Sequence, residues 1–267
     1  MLRQLLDQDR ILNCALDARV QCAPDLDPRR LGGPLWGIDH GTTSSLGAAA
    51  FHGANLIPVG DDLAGFEILA DQIARTPRGC SSIVGAASAV SVIWPLLARG
   101  WGPARAVRRN QPFLVACSPA QISVDETVRV VRPADLRQFL PAAVAMFTEE
   151  LGISPRGHDC GASYRVRVAD LINSGRAFAK FDDRGRLEFK AEIGSLTAAT
   201  AQVQGVWVRP DLRGRGIGTA AMAAVLQRAL RSVPSVSLYV NDFNTPARRM
   251  YDRLGMRQHN TLSTVLF

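Results

Sequence analysis

The stretch Val206-Trp207-Val208-Arg209-Pro210-Asp211-Leu212-Arg213-Gly214-Arg215-Gly216-Ile217-Gly218, running on from Thr219 to Ala229, constrains this chain more than any other. Upstream, Val203, Val206 and Val208 read as a short apolar strand that carries Gly205. Downstream, Met222, Val225, Leu226, Ala229 and Leu230 recur at helical spacing, so a helix is predicted to begin near Gly216. A strand that feeds a glycine-rich turn and then a helix makes an anion site. The first helical N–H groups have no intrahelical partner, and the macrodipole puts partial positive charge on them. Missing Cβ atoms let a phosphate approach the backbone. Arg213 and Arg215 add formal charge, so the stretch reads as a pyrophosphate cradle.

Two familiar cradles do not fit. A P-loop needs Lys-Ser/Thr after its last glycine, and Ile217-Gly218 follows Gly216. A dinucleotide fingerprint counted from Gly214 and Gly216 needs its third glycine at residue 219, which is Thr219. The hexamer Arg213-Gly214-Arg215-Gly216-Ile217-Gly218 instead resembles the R/Q-x-x-G-x-G/A loop of the GNAT superfamily of N-acetyltransferases, and Val208-x-Pro210 resembles the entry to that loop. A second motif lies at the expected distance. After a predicted strand at 236–240, Asn244-Thr245-Pro246-Ala247 and Tyr251-Asp252-Arg253-Leu254-Gly255-Met256 are similar to the GNAT element N-x-x-A-x-x-x-Y-x-x-x-G-F, with Met256 in place of Phe. Thr245 can cap a helix, Pro246 suits its first turn, and Gly255 can stop it. The resemblance covers residues 128–267.

The resemblance implies acetyl-CoA as cofactor, with the pyrophosphate on the backbone of Arg213 to Gly218 and on Thr219. It implies that the strand edge at Val206, Trp207 and Val208 pairs with pantetheine, and that an N–H near Val206 or Trp207 faces the thioester oxygen. Asn244 would contact the pantetheine arm and Tyr251 would protonate the departing sulfur. The same spacing of Ala247, Met250, Tyr251 and Leu254 also fits an ordinary core tyrosine. Glu149, Glu150, Glu192 and His158 are candidates for the general base; Glu192 is preferred because strands there line the cleft, and water is the alternative.

The implied architecture is α/β (α+β), a mixed, mostly antiparallel GNAT sheet flanked by helices. Residues 1–120 are expected to form a degenerate GNAT-like domain and 121–267 the GNAT domain. Strands are predicted at 46–51, 55–59, 83–84 and 113–117, with helices at 2–20, 63–75 and 90–98, and a loop over 25–37. That order echoes the second half of a GNAT fold, and the segment is similar to the uncharacterised module that precedes a GNAT domain in some bacterial proteins. Here Gly60-Asp61-Asp62 stands where the other half has its arginines, and carboxylates repel phosphate. Trp36, Trp94 and Trp101 are expected to face the partner half. A helix at 133–151, kinked or split at Pro141, another at 164–174, a hairpin across 182–185 and a terminal hairpin are predicted for the second half.

The net charge of +7 is almost all arginine, since Lys180 and Lys190 are the only lysines. No basic block is interleaved with aromatics, so nucleic acid is not an expected partner. The five scattered cysteines contain no C-x-x-C pair and fit neither a zinc site nor a disulfide framework; no metal is expected. With no signal peptide and no membrane-length apolar run, a cytoplasmic location and no membrane partner are expected. The acceptor is expected to be an amine of a small molecule or a protein, and a homodimer is left open. A non-catalytic acyl-CoA-binding sensor or interaction protein is the alternative function.

Overall fold

The computed structural model describes residues 1–39, 45–155, 157 and 159–267. In chain order the first elements are α1 (Leu2–Asp7), α2 (Cys14–Cys22), α3 (Pro28–Leu31), β1 (Leu35–Asp39), β2 (Leu46–His52), β3 (Asn55–Gly60), α4 (Leu63–Ala74), β4 (Ser82–Ala86), α5 (Ala87–Trp101) and β5 (Ala106–Ala116). Then come β6 (Arg129–Val130), α6 (Leu136–Leu151), α7 (Ala162–Asn173), β7 (Ala177–Phe181), β8 (Leu187–Leu196), β9 (Ala201–Val208), α8 (Ile217–Ala229), β10 (Val236–Tyr239), α9 (Thr245–Arg253) and β11 (Arg257–Leu266). Contacts group Met1–Leu114, Tyr239–Thr245 and Gln258–Phe267 into one compact unit, and Val115–Leu238 with Pro246–Arg257 into a second. The chain therefore returns twice to the first unit after leaving it, which a single cut between 120 and 121 does not capture.

In the first unit the strand order is β1-β2-β3-β4-β11-β5. Along β2 the side chains alternate between two cores. Ala48 and Ala50 meet Phe66, Leu69 and Ile73 of α4 and Val90, Ile93 and Leu97 of α5. Ala49 and Phe51 meet Leu5, Leu6, Leu16 and Leu31 of the three N-terminal helices. The expected helix at 2–20 is two helices, because the Asp9 carboxylate accepts from the amides of Ile11 (3.2 Å) and Leu12 (2.9 Å) and turns the chain there. The expected loop at 25–37 contains α3, where the Asp27 side chain accepts from the Arg29 amide, and β1, which is held by its antiparallel pairing with β2.

One expectation fails in this unit. The terminal segment is not a hairpin: β11 is a single strand whose Leu262–Leu266 pairs antiparallel with Ser82–Ala86. Its other side meets β5, where Ser263 Oγ donates to the Arg108 carbonyl (3.1 Å) and Thr264 Oγ1 to Gln111 Oε1 (2.6 Å). The tryptophans follow from that. Trp94 and Trp101 pack edge-on against Phe267 at centroid distances of 5.6 and 5.9 Å, and Trp36 packs on the same core. The tryptophans of 1–120 thus meet residues from 121–267, as expected, at the strand β11 that joins the first unit.

The second unit carries the order β10-β9-β8-β7-β6. Phe139, Ala142 and Ala143 of α6 and Val168 and Ile172 of α7 cover one face, over Ala177, Ala179 and Leu187. Helix α6 runs unbroken through Pro141. Helix α8 packs on β8 and β9 and buries Ala221 to Leu226 and Ala229. Each unit is thus a mostly antiparallel sheet flanked by helices. Both repeat one order: an antiparallel pair (β2–β3, β8–β9), a helix (α4, α8), then a strand parallel to the one before that helix (β4, β10). Among the described residues no helix is long and apolar enough to cross a membrane.

Candidate active site

In the second unit the glycine-rich loop links β9 to α8. Gly214 and Gly216 hold φ of +76° and +78°, left-handed backbone that an ordinary residue adopts only at a cost. A Cβ on either would meet no atom within 4 Å, so both face open space. The Arg213 amide is bonded to the Pro210 carbonyl (3.3 Å), and the Gly216 carbonyl accepts from Thr219 and Ala220. Between them the amides of Gly214, Arg215, Gly216, Ile217 and Gly218 have no backbone partner among the described residues. Gly218 serves packing: a Cβ there would stand 3.0 Å from the Val208 side chain and 3.4 Å from Met250, so its absence lets α8 lie close on the sheet. Free amides at the positive end of a thirteen-residue helix fit an anion.

The two loop arginines differ. Arg213 turns back, its Nε donating to the Val208 carbonyl (2.9 Å) and its Nη2 to Glu149 Oε2 (2.7 Å). Glu149 Oε1 accepts from the Trp207 indole (3.0 Å), so one carboxylate from the end of α6 ties strand to loop. Arg215 makes no hydrogen bond or salt bridge among the described residues, and its charge, after that of Arg209, helps hold the Asp211 carboxyl below the usual carboxylate range.

Beside the loop the sheet opens. β9 and β10 are paired only at Ala201↔Val236 and Gln202↔Ser237. From Val203 to Val208 the β9 edge on that side has no strand partner within the unit. A bulge marks the departure: Lys190 pairs with Trp207 and Glu192 with Gln204, so β9 carries one residue more than β8. That extra residue includes Gly205 at φ +60°. Beneath it, Lys190 Nζ donates to the Gly205 carbonyl (2.9 Å) and lies 2.7 Å from Glu192 Oε1, with the Phe139 ring 5.3 Å away. Lys190 is 0% exposed and Glu192 4%. Burial pushes the Lys190 ammonium below its ordinary value, and the Glu192 carboxylate opposes that shift.

Tyr251, 5% exposed on α9, keeps its hydroxyl free of hydrogen bonds among the described residues. Burial, and then the nearby Glu150 carboxylate, push its phenol well above the ordinary tyrosine range, so it stays protonated throughout physiological pH. Asn244 is exposed in the turn closed by its amide on the Asn241 carbonyl (3.0 Å), within the segment Tyr239–Thr245 that packs with the first unit. His158 lies outside the described residues. Glu150 is exposed at the end of α6.

Residues 177–256, which hold the loop, the opened strand edge and Tyr251, match the family model described as Acetyltransferase (GNAT) family. This segment is a GNAT acetyltransferase domain. Residues 33–139 match a domain of unknown function (DUF4081). Among solved structures, the chain is similar to a GNAT-family acetyltransferase from Colwellia psychrerythraea (TM-score 0.57, 13% identity, 99% of this chain and 96% of that one). It is likewise similar to a GCN5-related N-acetyltransferase from Kribbella flavida (TM-score 0.58, 14% identity, 96% and 94%). A tandem GNAT protein from the clavulanic acid biosynthesis pathway also matches (TM-score 0.50, 12% identity, 94% and 87%). At these identities the likeness is one of fold. No curated protein sequence matches the chain.

The counterpart of the GNAT loop in the first unit is closed. The amides of Asp61 and Asp62 are both taken by the Gly47 carbonyl (3.3 Å each). A Cβ on Gly60 would collide with that carbonyl, and one on Gly65 with the Asp62 carboxylate, which therefore lies over the first turn of α4. Backbone thus occupies the two aspartate amides, and a carboxylate lies against the first turn.

Sequence reasoning missed two features of the GNAT domain: Glu149 as a tie between Trp207 and Arg213, and the burial of Lys190. One signal for the latter was present, since Lys190 is one of two lysines in an arginine-rich chain and shares a strand face with Glu192.

Proposed function

We propose that the chain is an acetyl-CoA-dependent N-acetyltransferase working through its second unit on an amine of a small molecule or protein. The observation that carries this is the run of unpaired amides from Gly214 to Gly218, set where the β9 edge is left open by β10. The amides, the α8 terminus, Thr219 and Arg215 hold the pyrophosphate. The edge at Val206 to Val208 pairs with the pantetheine amides, and an N–H there faces the thioester oxygen as charge builds on it. Bound acetyl-CoA supplies an activated acyl carbon. Tyr251 retains its proton until the sulfur leaves, then donates it. Glu149 is paired with Arg213, which leaves Glu150 to give the end of α6 its negative charge and favour a cationic amine; the amine proton passes to Glu150 or to water.

The direct test is thiol release from acetyl-CoA across a panel of amines, with calorimetry of coenzyme A binding. Binding without turnover of any amine would favour a sensor; no binding would remove the proposal.

Two results are expected with an active amine in hand. Tyr251→Phe keeps the packed ring and removes the proton donor, so kcat should fall by about 10²-fold or more with coenzyme A affinity unchanged. A wild-type kcat, with chemistry rate-limiting, would return Tyr251 to a packing role. Calorimetry of the whole chain should also give one coenzyme A per chain, because in the Gly60-Asp61-Asp62 loop the Asp61 and Asp62 amides are taken by the Gly47 carbonyl and the Asp62 carboxylate stands at the first turn of α4, where it repels phosphate. A stoichiometry of two would contradict the reading of that loop.

A further inference from the structure

We propose that Lys190 and Glu192 are a buried positioning pair that holds the Gly205 bulge, and through it the direction of the Val206 and Trp207 amides. This assignment rests on the proposed acetyl transfer and replaces Glu192 as proton acceptor with Glu192 as part of the scaffold.

The geometry runs from the pair to the strand. Lys190 Nζ bonds to the carbonyl of the bulge residue itself, Gly205 (2.9 Å). The Gly205 peptide carbonyl belongs to the same rigid unit as the Val206 amide, so fixing one fixes the other. Glu192 Oε1 lies 2.7 Å from the ammonium and pairs with it. The bulge leaves no room for change: a Cβ on Gly205 would stand 3.0 Å from Lys190 Nζ, 3.1 Å from Met146 and 3.3 Å from Glu192 Oε2. The pair, the glycine and the α6 side chain above them form one packed assembly.

A buried ion pair is a costly way to stabilise a strand. Desolvation of two charges commonly cancels their attraction, and apolar residues of similar size do as well or better. The pair's distinct contribution is direction, since an ammonium donates along defined axes where a methyl group does not. Glu192 is also poorly suited to take a proton from an acceptor. It is 4% exposed, and its Oε1 faces Lys190.

The experiment compares the full-length wild type with the double variant Lys190→Met/Glu192→Leu, in which both charges go together and no lone charge is left buried. The double variant should melt at the wild-type temperature or above it and bind coenzyme A within a few-fold of wild type. Its kcat should fall by roughly 10²-fold, the scale of misdirecting one donor at the reacting oxygen. Without coenzyme A present, amide hydrogen exchange at residues 204–208 should be faster than in wild type. Wild-type kcat together with wild-type exchange in the folded double variant would overturn the inference. If the wild type itself turns over no amine, the proposed activity fails, and the exchange comparison still decides whether the pair holds the bulge. A further arm uses Glu192→Gln. As scaffold, Glu192 should leave the acid limb of the kcat–pH profile in place, whereas removal of that limb would make it the base.

Discussion

A chain ending at Arg257 should lose the folded state of its first unit while the second unit stays folded. Residues 258–267 supply an inner strand of the first unit, paired to β4 along Leu262–Leu266 and bonded to β5 through Ser263 and Thr264. Leu262, Val265 and Leu266 are 5%, 0% and 7% exposed. Burying three such side chains contributes about 5–9 kcal/mol, against a total domain stability of about 5–15 kcal/mol. The strand's backbone bonds and the Trp94 and Trp101 contacts to Phe267 are lost as well. Tryptophan fluorescence reads the outcome directly, because Trp36, Trp94 and Trp101 lie in the first unit and Trp207 in the second. The truncated chain should show red-shifted emission and rapid proteolysis of residues 1–114; a native-like spectrum would refute the role given to β11. The converse deletion, removal of residues 1–118, leaves β11 without β4, and an exposed apolar strand edge should make that fragment aggregate.

Gly216→Asp should abolish coenzyme A binding in a chain that still folds. The residue caps α8 with φ +78° and faces open space. Aspartate is among the few residues that tolerate left-handed backbone, at a strain of roughly 1–2 kcal/mol. A helix-capping side chain can return about 1 kcal/mol of that. A carboxylate placed about 4 Å from a phosphate costs about 4 kcal/mol at the effective dielectric of a protein surface. That is roughly a 10³-fold loss of affinity. Gly216→Asn has the same shape and strain without the charge, so most of the affinity should return in it. Calorimetry on both variants, with circular dichroism to confirm folding, checks this; an unchanged Kd in folded Gly216→Asp would move the pyrophosphate elsewhere. The first unit shows the natural form of the same experiment, with Asp62 over the turn that opens α4.

The features legible in the sequence were local ones. The strand, loop and helix from Ala201 to Ala229 follow from apolar periodicity and from glycines that alone tolerate positive φ, and these act over a few residues. Tyr251 and the helix that carries it were legible for the same reason. The resemblance implied a free strand edge at Val206 to Val208; that β9 pairs with β10 in parallel for only two residues, and that the bulge lies at Gly205, is seen in the structure.

What only the tertiary structure decided depends on partners far along the chain. The apolar pattern of β11 says that it is buried but not beside which strand. Its neighbour β4 lies some 180 residues earlier, and the choice is made by which sheet edge is free to accept it. The three tryptophans suit an interface by type, but only the pairing of β11 with β4 shows that Phe267 is the residue of 121–267 that Trp94 and Trp101 meet. Lys190 and Glu192 look like ordinary alternating charges on a strand; they become a buried pair because α6, fixed by Phe139 and its neighbours, closes over that face. Glu149 joins Trp207 to Arg213 across about 60 residues of sequence because α6 ends beside the loop. Local backbone rules set the shape of the glycine-rich loop, and long-range packing set which charges reach it.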